Sequence, residues 1–369
     1  MSDPSPSPPT RTLSATCHCK ASTLSFTIPT SSLPLPTHFC HCSICRHTHG
    51  TLCTIHAPVP APTVDLSTFT SYKSSPRVER WFCSTCGAHM LDQDVEKGQW
   101  CVAASLVDAE EEVWRFEKHI HVEETFDGGL STWLPQIGGQ QLGTWKTKPG
   151  RQDLEDKPMG DYTAPTPSHS DADARNNTNG KGKKLHAHCH CHGIEFFISP
   201  PDPGTSFINH TEGVMPKDKT KWHASSDVCN SCRLTSSSFL TSWLFPSVSA
   251  ITLSDGLPYP QNHIFGTAKP YQSSPGVTRT FCGTCGAVVV FAIEKRYKGG
   301  EGVVDVAAGL VDEEVAGGVR AEEGLEWSAQ VGYTEDCGWR EAVKGVQEGI
   351  GRWVERLRKD EVLSKQANL

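Results

Sequence analysis

Apolar residues along this chain come in short runs with a period of two. "LSFTI" (24–28), "GIEFFI" (193–198), "AVVVFAI" (287–293) and "VVDVAAGLV" (303–311) are bounded by Pro, Gly and Ser. That alternation marks strands with one buried face and predicts a mainly β protein. The end of the chain departs from it. In "WREAVKGVQEGIGRWVERLRKDEVL", Trp339, Val343, Val346, Ile350, Trp353, Val354 and Leu357 fall on one helical face. The pattern predicts a C-terminal amphipathic helix, packed on the domain before it or forming a dimer contact. Its interior Gly349 and Gly351 are expected to weaken it by about 1 kcal/mol each.

The strand runs belong to a plan that occurs twice. "ATCHCKASTLSFTIP", with Cys17 and Cys19, has a counterpart in "AHCHCHGIEFFISP", with Cys189 and Cys191. "RWFCSTCGAHM" (Cys83, Cys86) returns as "RTFCGTCGAVV" (Cys282, Cys285), and "VAASLVD" returns as "VAAGLVD". Three pieces in the same order indicate a duplicated domain. Between the copies the chain is rich in Pro, Gly, Asn, Asp and Lys, the composition of a flexible linker. The predicted layout is a disordered N-terminus (1–11), a first zinc-bearing β domain (12–135), a linker (136–184), and a second such domain with the helix (185–369).

A length of 369 residues fits two cores better than one. The net charge of -8 weakens a nucleic-acid reading, because phosphate affinity needs clustered Lys and Arg. No apolar run approaches the roughly 18 residues of a membrane span, and "MSDPSPSPPTRTLS" has no apolar segment of a secretory signal. A soluble, cytoplasmic protein is expected, with no nucleic-acid or membrane partner. In a reducing compartment, sixteen clustered cysteines are better explained by metal than by disulfides.

In the first copy seven cysteines form three groups: Cys17 and Cys19; Cys40, Cys42 and Cys45; Cys83 and Cys86. Four thiolates close a zinc site, and three leave a position open. Pairing Cys17 and Cys19 with Cys83 and Cys86 gives a closed structural site and leaves "CHCSIC" as an open trio. Its fourth position is then water or substrate, or else His38, His41, His47 or His49 closes it. A thioredoxin-type dithiol is the remaining reading of each Cys-X-X-Cys, but the βαβ context that motif needs is missing.

The order Cys-X-Cys, Cys-His-Cys-X-X-Cys-Arg, Phe-Cys-X-X-Cys-Gly resembles the glutathione-dependent formaldehyde-activating enzyme family, whose domain is shared with centromere protein V. The resemblance implies Zn2+, up to two ions per domain. It implies structural ligands at Cys17, Cys19, Cys83 and Cys86, and catalytic ones at Cys40, Cys42 and Cys45. It further implies a carbon–sulfur lyase type of reaction on a thiol–aldehyde adduct such as S-hydroxymethylglutathione, with a small thiol such as glutathione as partner. A non-catalytic zinc scaffold that binds proteins, as the kinship with centromere protein V allows, is the competing reading. In the second copy Cys189, Cys191, Cys282 and Cys285 match the closed site. Asp227 replaces the first cysteine of the trio, ahead of Cys229 and Cys232. Asp227 either ligates zinc as a harder, equally charged donor or is a polar turn residue at a decayed site.

Other residues keep two readings each. His47 and His49 can serve as proton donors or be ordinary loop histidines. Arg46 and Arg233 can bind a glutathione carboxylate or orient the turn through a salt bridge. His186, His188, His190 and His192 can contribute to a metal site or simply be solvated along one strand face. Cys53, Cys101 and Cys337 lie outside the motifs.

Overall fold

The computed structural model describes residues 8–147, 158–159, 183–202, 215–298 and 301–367. The first half contains β1 (Thr10–Thr16), β2 (Thr23–Pro29), β3 (Leu35–Cys40), helix α1 (Ser43–His49), β4 (Thr54–Val59), β5 (Thr63–Val64), β6 (Phe69–Lys73), β7 (Val78–Cys83), β8 (His89–Asp94), β9 (Gln99–Ala103) and β10 (Trp114–Ile120). Four short strands follow: β11 (Gln136–Ile137), β12 (Gln140–Gln141), β13 (Gly143–Trp145) and β14 (Pro158–Met159). The second half contains β15 (Leu185–His188), β16 (Glu195–Ile198), β17 (Trp222–Asp227), α2 (Asn230–Ser236), β18 (Thr241–Leu244), β19 (Ile251–Leu253), β20 (Ala268–Ser274), β21 (Val277–Cys282) and β22 (Val288–Ile293). It ends with β23 (Tyr297–Lys298), β24 (Glu301–Gly302), β25 (Asp305–Ala307), α3 (Glu313–Ala316), β26 (Leu325–Gly332) and α4 (Arg340–Ala367).

Both halves are built alike. A small sheet β1-β2-β5 stands beside a large one ordered β10-β3-β4-β9-β8-β7-β6, which β13 and β14 extend past β10. The second half repeats this as β15-β16-β19 and β26-β17-β18-β25-β22-β21-β20. Alternation does the local work: along β2, Leu24, Phe26 and Ile28 are buried while Thr23, Thr27 and Pro29 are exposed. The fold is mainly β, as the periodicity predicts.

The halves share one contiguous apolar core, and their contacts are reciprocal. Helix α1 packs on the turn Ala308–Leu310, and α2 packs on its counterpart, Ala104–Leu106. His18 Nδ1 meets the Tyr271 hydroxyl at 2.7 Å, and the Tyr72 hydroxyl meets His190 Nδ1 at 2.6 Å. Gly87, at φ +81°, faces the Phe281 ring, while Gly286, at φ +80°, faces Phe82 and His89. A Cβ at either glycine would lie 2.5 Å from a side-chain atom of the other half. These paired contacts relate the halves by an approximate two-fold.

Two expectations need correction. The segment assigned to the linker begins as structure, because β11, β12 and β13 occupy its first ten residues and β13 pairs with β10; residues 148–157 and 160–182 of that segment lie outside the described residues. Likewise β1 starts at Thr10, inside the expected disordered stretch, whose residues 1–7 are also outside the described ones. Helix α4, for its part, spans both halves. Trp339, Val343, Val346, Ile350, Trp353 and Val354 are buried, and only Leu357 of the predicted stripe is exposed. Its N-terminal amides, Glu341 and Ala342, are capped by the Glu111 carboxylate of the first half at 3.0 Å. Gly349 is a site of close approach rather than a weak point: a Cβ there would sit 1.6 Å from the Trp133 carbonyl oxygen.

Candidate metal centres

All sixteen cysteines carry free thiols. The sulfurs of Cys17, Cys19, Cys83 and Cys86 lie within 4.8 Å of one another, as do those of Cys189, Cys191, Cys282 and Cys285. The pairs Cys17–Cys19, Cys19–Cys83, Cys189–Cys191 and Cys191–Cys282 are each 3.5 Å apart. A tetrahedral zinc with bonds of about 2.3 Å would set its sulfurs roughly 3.8 Å apart, so both sets fit. Each is held by a hairpin knuckle. The Gly87 amide donates to the Cys83 carbonyl and the Gly286 amide to the Cys282 carbonyl, both at 2.9 Å. Amides of Ser22 and Ile194 point at Cys17 and Cys189 sulfurs at 3.4 and 3.3 Å.

The trio Cys40, Cys42 and Cys45 also converges within 4.8 Å. Cys40 ends β3, Cys42 is the N-cap of α1, and Cys45 lies in its first turn, where its amide donates to the Cys42 sulfur at 3.3 Å. Among the described residues no histidine nitrogen or carboxylate oxygen shares that space with all three sulfurs. Ile120 and Trp145 pack against the trio. Arg80 reaches it from β7, with Nη2 3.3 Å from the Cys45 sulfur and Nη1 2.8 Å from Asp92. Hydrogen bonds from Cys40 and Cys42 pull the Cys45 thiol well below its ordinary range against the effect of burial, and the Arg80 charge adds to them. Cys40 moves the other way, raised by its contacts with Cys42 and Cys45 and by burial. The thiol of the trio that is lowered, Cys45, is the one in contact with the Arg80 guanidinium.

The histidines around "RHTHG" do other work. His41 Nε2 bonds His119 Nδ1 at 2.9 Å. His47 crosses to the second half, with Nδ1 2.8 Å from the His188 carbonyl and Nε2 3.2 Å from Glu313. His49 bonds the Cys45 carbonyl through Nδ1, is stacked on His89 at 4.2 Å, and is fully buried. His38 lies across from His56 on the neighbouring strand. Arg46, considered for a substrate carboxylate, is wholly buried and pairs with Glu313 at 2.5 Å. Its Nε bonds the His41 carbonyl, and Arg233 makes the equivalent bond to Val228. Arg46 thus holds the turn with a salt bridge, whereas Arg233 holds its turn through the Val228 carbonyl and Asn230 Oδ1, with no carboxylate paired to it among the described residues.

Asp227, Cys229 and Cys232 converge in the second half. Asp227 Oδ1 accepts from the Cys229 amide at 3.0 Å, and Oδ2 accepts from the Trp243 indole at 3.1 Å. Burial and the neighbouring Cys229 raise its pKa to about 7. Arg279 repeats the position of Arg80, with Nη2 3.5 Å from Cys232.

Two features escaped the sequence reading. Arg80 and Arg279 stand three residues before Cys83 and Cys282 in the repeated "R-x-F-C", so the signal lay inside a motif already quoted. The other is His121, whose Nδ1 donates to Glu124 Oε1 at 2.8 Å while Glu124 Oε2 accepts from the Ser43 amide at 2.8 Å at the start of α1. One carboxylate thus links an imidazole to the helix that carries the trio. No local motif announces this pairing.

Comparison with known families bears on the first half. Residues 12–124 match the profile of the family described as glutathione-dependent formaldehyde-activating enzyme. Residues 12–124 are therefore similar to that family, and the cysteine clusters of the chain are suited to a metal such as zinc. Searches of curated proteins and of solved structures returned no match. The profile match ends before the second cysteine-rich β region. No helix among the described residues is long and apolar enough to cross a membrane.

Proposed function

We propose that the first half is a zinc-dependent carbon–sulfur lyase-type catalyst acting on a thiol–aldehyde adduct such as S-hydroxymethylglutathione. One observation carries this reading: among the described residues three sulfurs converge without a fourth protein donor, inside a segment that matches a family named for glutathione and formaldehyde. Zinc, when bound, would supply a Lewis acid that keeps a substrate thiol ionised near neutral pH. Cys40, Cys42 and Cys45 are its ligands, and Arg80 offsets the negative charge of three thiolates. In the forming direction the substrate sulfur bonds to the aldehyde carbon, and the oxygen takes up one proton. In the breaking direction that proton leaves and the carbon–sulfur bond opens. His121, oriented by Glu124, moves the proton. Trp145, packed against the trio, limits water at its edge.

The second half carries the scaffold reading. Trp243 and Phe291 occupy the register positions that His56 and Asp92 hold in the first half, and Asp227 is already bonded by an amide and an indole. It supports the first half without chemistry of its own. The test is glutathione–formaldehyde exchange followed by NMR with zinc-loaded protein. Acceleration that is lost in Cys42→Ser is expected; an unchanged spontaneous rate with zinc fully loaded sinks the reading.

A further inference from the structure

A third kind of centre lies on β15, away from the Cys40–Cys42–Cys45 and Asp227–Cys229–Cys232 clusters. His186 and His188 share one face of that strand, and Asp312, the N-cap of α3, faces them. Asp312 Oδ2 is 3.1 Å from His186 Nδ1 and 3.8 Å from His188 Nε2, and the three atoms lie within 4.8 Å of one another. A tetrahedral ion with bonds of about 2.0–2.1 Å would hold such donors roughly 3.3 Å apart, between the two observed values.

The surrounding bonds aim lone pairs at that point. His186 Nε2 lies 2.8 Å from Glu195 Oε1, and when the single proton of a neutral imidazole is donated there, Nδ1 is left with a lone pair directed at Asp312. His188 Nδ1 lies 3.2 Å from the Cys189 carbonyl, which leaves its Nε2 lone pair facing Asp312. Asp312 Oδ1 accepts from the Glu314 and Val315 amides, both at 3.0 Å, which fixes the carboxylate and turns Oδ2 toward the imidazoles. With one proton on His186 the three acceptors repel one another unless a cation sits between them, and that cation is either a metal ion or a second proton on His186, which the Asp312 contact also accommodates. The His188 ring is also locked, stacked on His47 and on His192 at 4.3 Å each. Rings oriented by a carboxylate and a carbonyl are the outer shell that ligating histidines have in metal sites.

We infer that His186, His188 and Asp312 form a nitrogen–oxygen site for one divalent transition-metal ion of the zinc class, separate from the sulfur sites, with Glu195 as its supporting carboxylate. Two imidazoles and a carboxylate leave one position open. Asp312 and Glu195 match the ion's two charges. The side chains of His186, His188 and Asp312 are 17%, 14% and 21% exposed, so an ion can enter from solvent. The site stands whether or not the first half has the proposed activity.

The test uses full-length protein with its thiolate sites filled by zinc, titrated with Co2+. One further equivalent should bind with the visible bands of nitrogen and oxygen ligation and without thiolate charge-transfer absorption. Asp312→Asn retains an oxygen to cap α3 and should abolish that binding. Glu195→Gln, which leaves all three ligands in place, should weaken it by about 10–100-fold. Zinc content and circular dichroism report whether each variant is folded, and Glu195→Gln decides alone if Asp312→Asn is not. No cobalt beyond the sulfur sites, a doubly protonated His186 in place of the ion, or an affinity indifferent to both changes overturns the assignment.

Discussion

The two halves share a strand order and differ in what surrounds their three-residue clusters, Cys40, Cys42 and Cys45 in one and Asp227, Cys229 and Cys232 in the other. In the first, Cys40, Cys42 and Cys45 adjoin Arg80 and Asp92, with His56 3.2 Å from the same carboxylate. In the second, the counterpart of Asp92 is Phe291, and the Arg279 guanidinium lies over that ring at 4.6 Å. The carboxylate has moved one strand over: Asp305 stands where the first half has Cys101, and it pairs with Arg296. A buried cation needs a counter-charge nearby, and the halves meet that need from different strands. Shared topology therefore preserves the arginine, while the carboxylate–imidazole pair of Asp92 and His56 is present in the first half only.

The largest effect should fall where the halves agree. Structural zinc binds with about 10–16 kcal/mol in finger peptides, against a domain stability of roughly 5–15 kcal/mol. Cys83→Ser and Cys282→Ser should each abolish cooperative urea unfolding, and because the core is shared, either change should disturb both halves. A Cys282→Ser protein that unfolds cooperatively like wild type would show that the second closed site is dispensable.

Exchanging the differing ligand separates the halves. Cys40→Asp should lower exchange activity by more than the roughly 10–100-fold that loss of an outer-shell contact costs, whereas Asp227→Cys should leave it unchanged while allowing a cysteine trio to load in the second half. Zinc counting with the NMR assay reads both. Equal sensitivity to the two changes would place chemistry in both halves.

Next come the arginines. Arg46→Ala leaves Glu313 buried without its main partner and should cost about 3–5 kcal/mol in denaturant unfolding. Arg233→Ala loses bonds to the Val228 carbonyl and Asn230, expected at about 1–3 kcal/mol. The smallest effect is on acid stability. Against the upward push of burial, hydrogen bonds from His47 and Arg46 hold the Glu313 carboxyl well below its ordinary value of 4.5. A depressed folded pKa means its contribution is complete above about pH 4.5 and fades as the pH falls toward the folded value. Glu313→Gln should flatten that acid slope, measured by unfolding at stepped pH; an unaltered slope would remove Glu313 from the account.

Much of this architecture was legible in the chain. Period-two alternation marked β2 and the apolar stripe marked α4, because burial of one face is a local property, while β22 was marked by a continuous apolar run and is buried on both faces at Val288, Val289 and Val290. Cysteine spacing grouped the three sulfur clusters correctly, since zinc geometry permits few other pairings. What sequence could not supply was contact at a distance. Arg46 beside a cysteine reads as a substrate clamp until Glu313, 267 residues away, is seen against it. The role of His47 was hidden in the same way, by partners in the other half. Gly349 looked like a defect because helix propensity knows nothing of the Trp133 carbonyl.

The crossed pairs His18–Tyr271 and Tyr72–His190 carry a consequence for how such a gene can change. Each cysteine hairpin rests on a tyrosine from the opposite copy. Deleting either half would therefore strip a wall from the hairpin of the other. Each half is held to its shape along that seam and can vary freely only where the other does not lean on it.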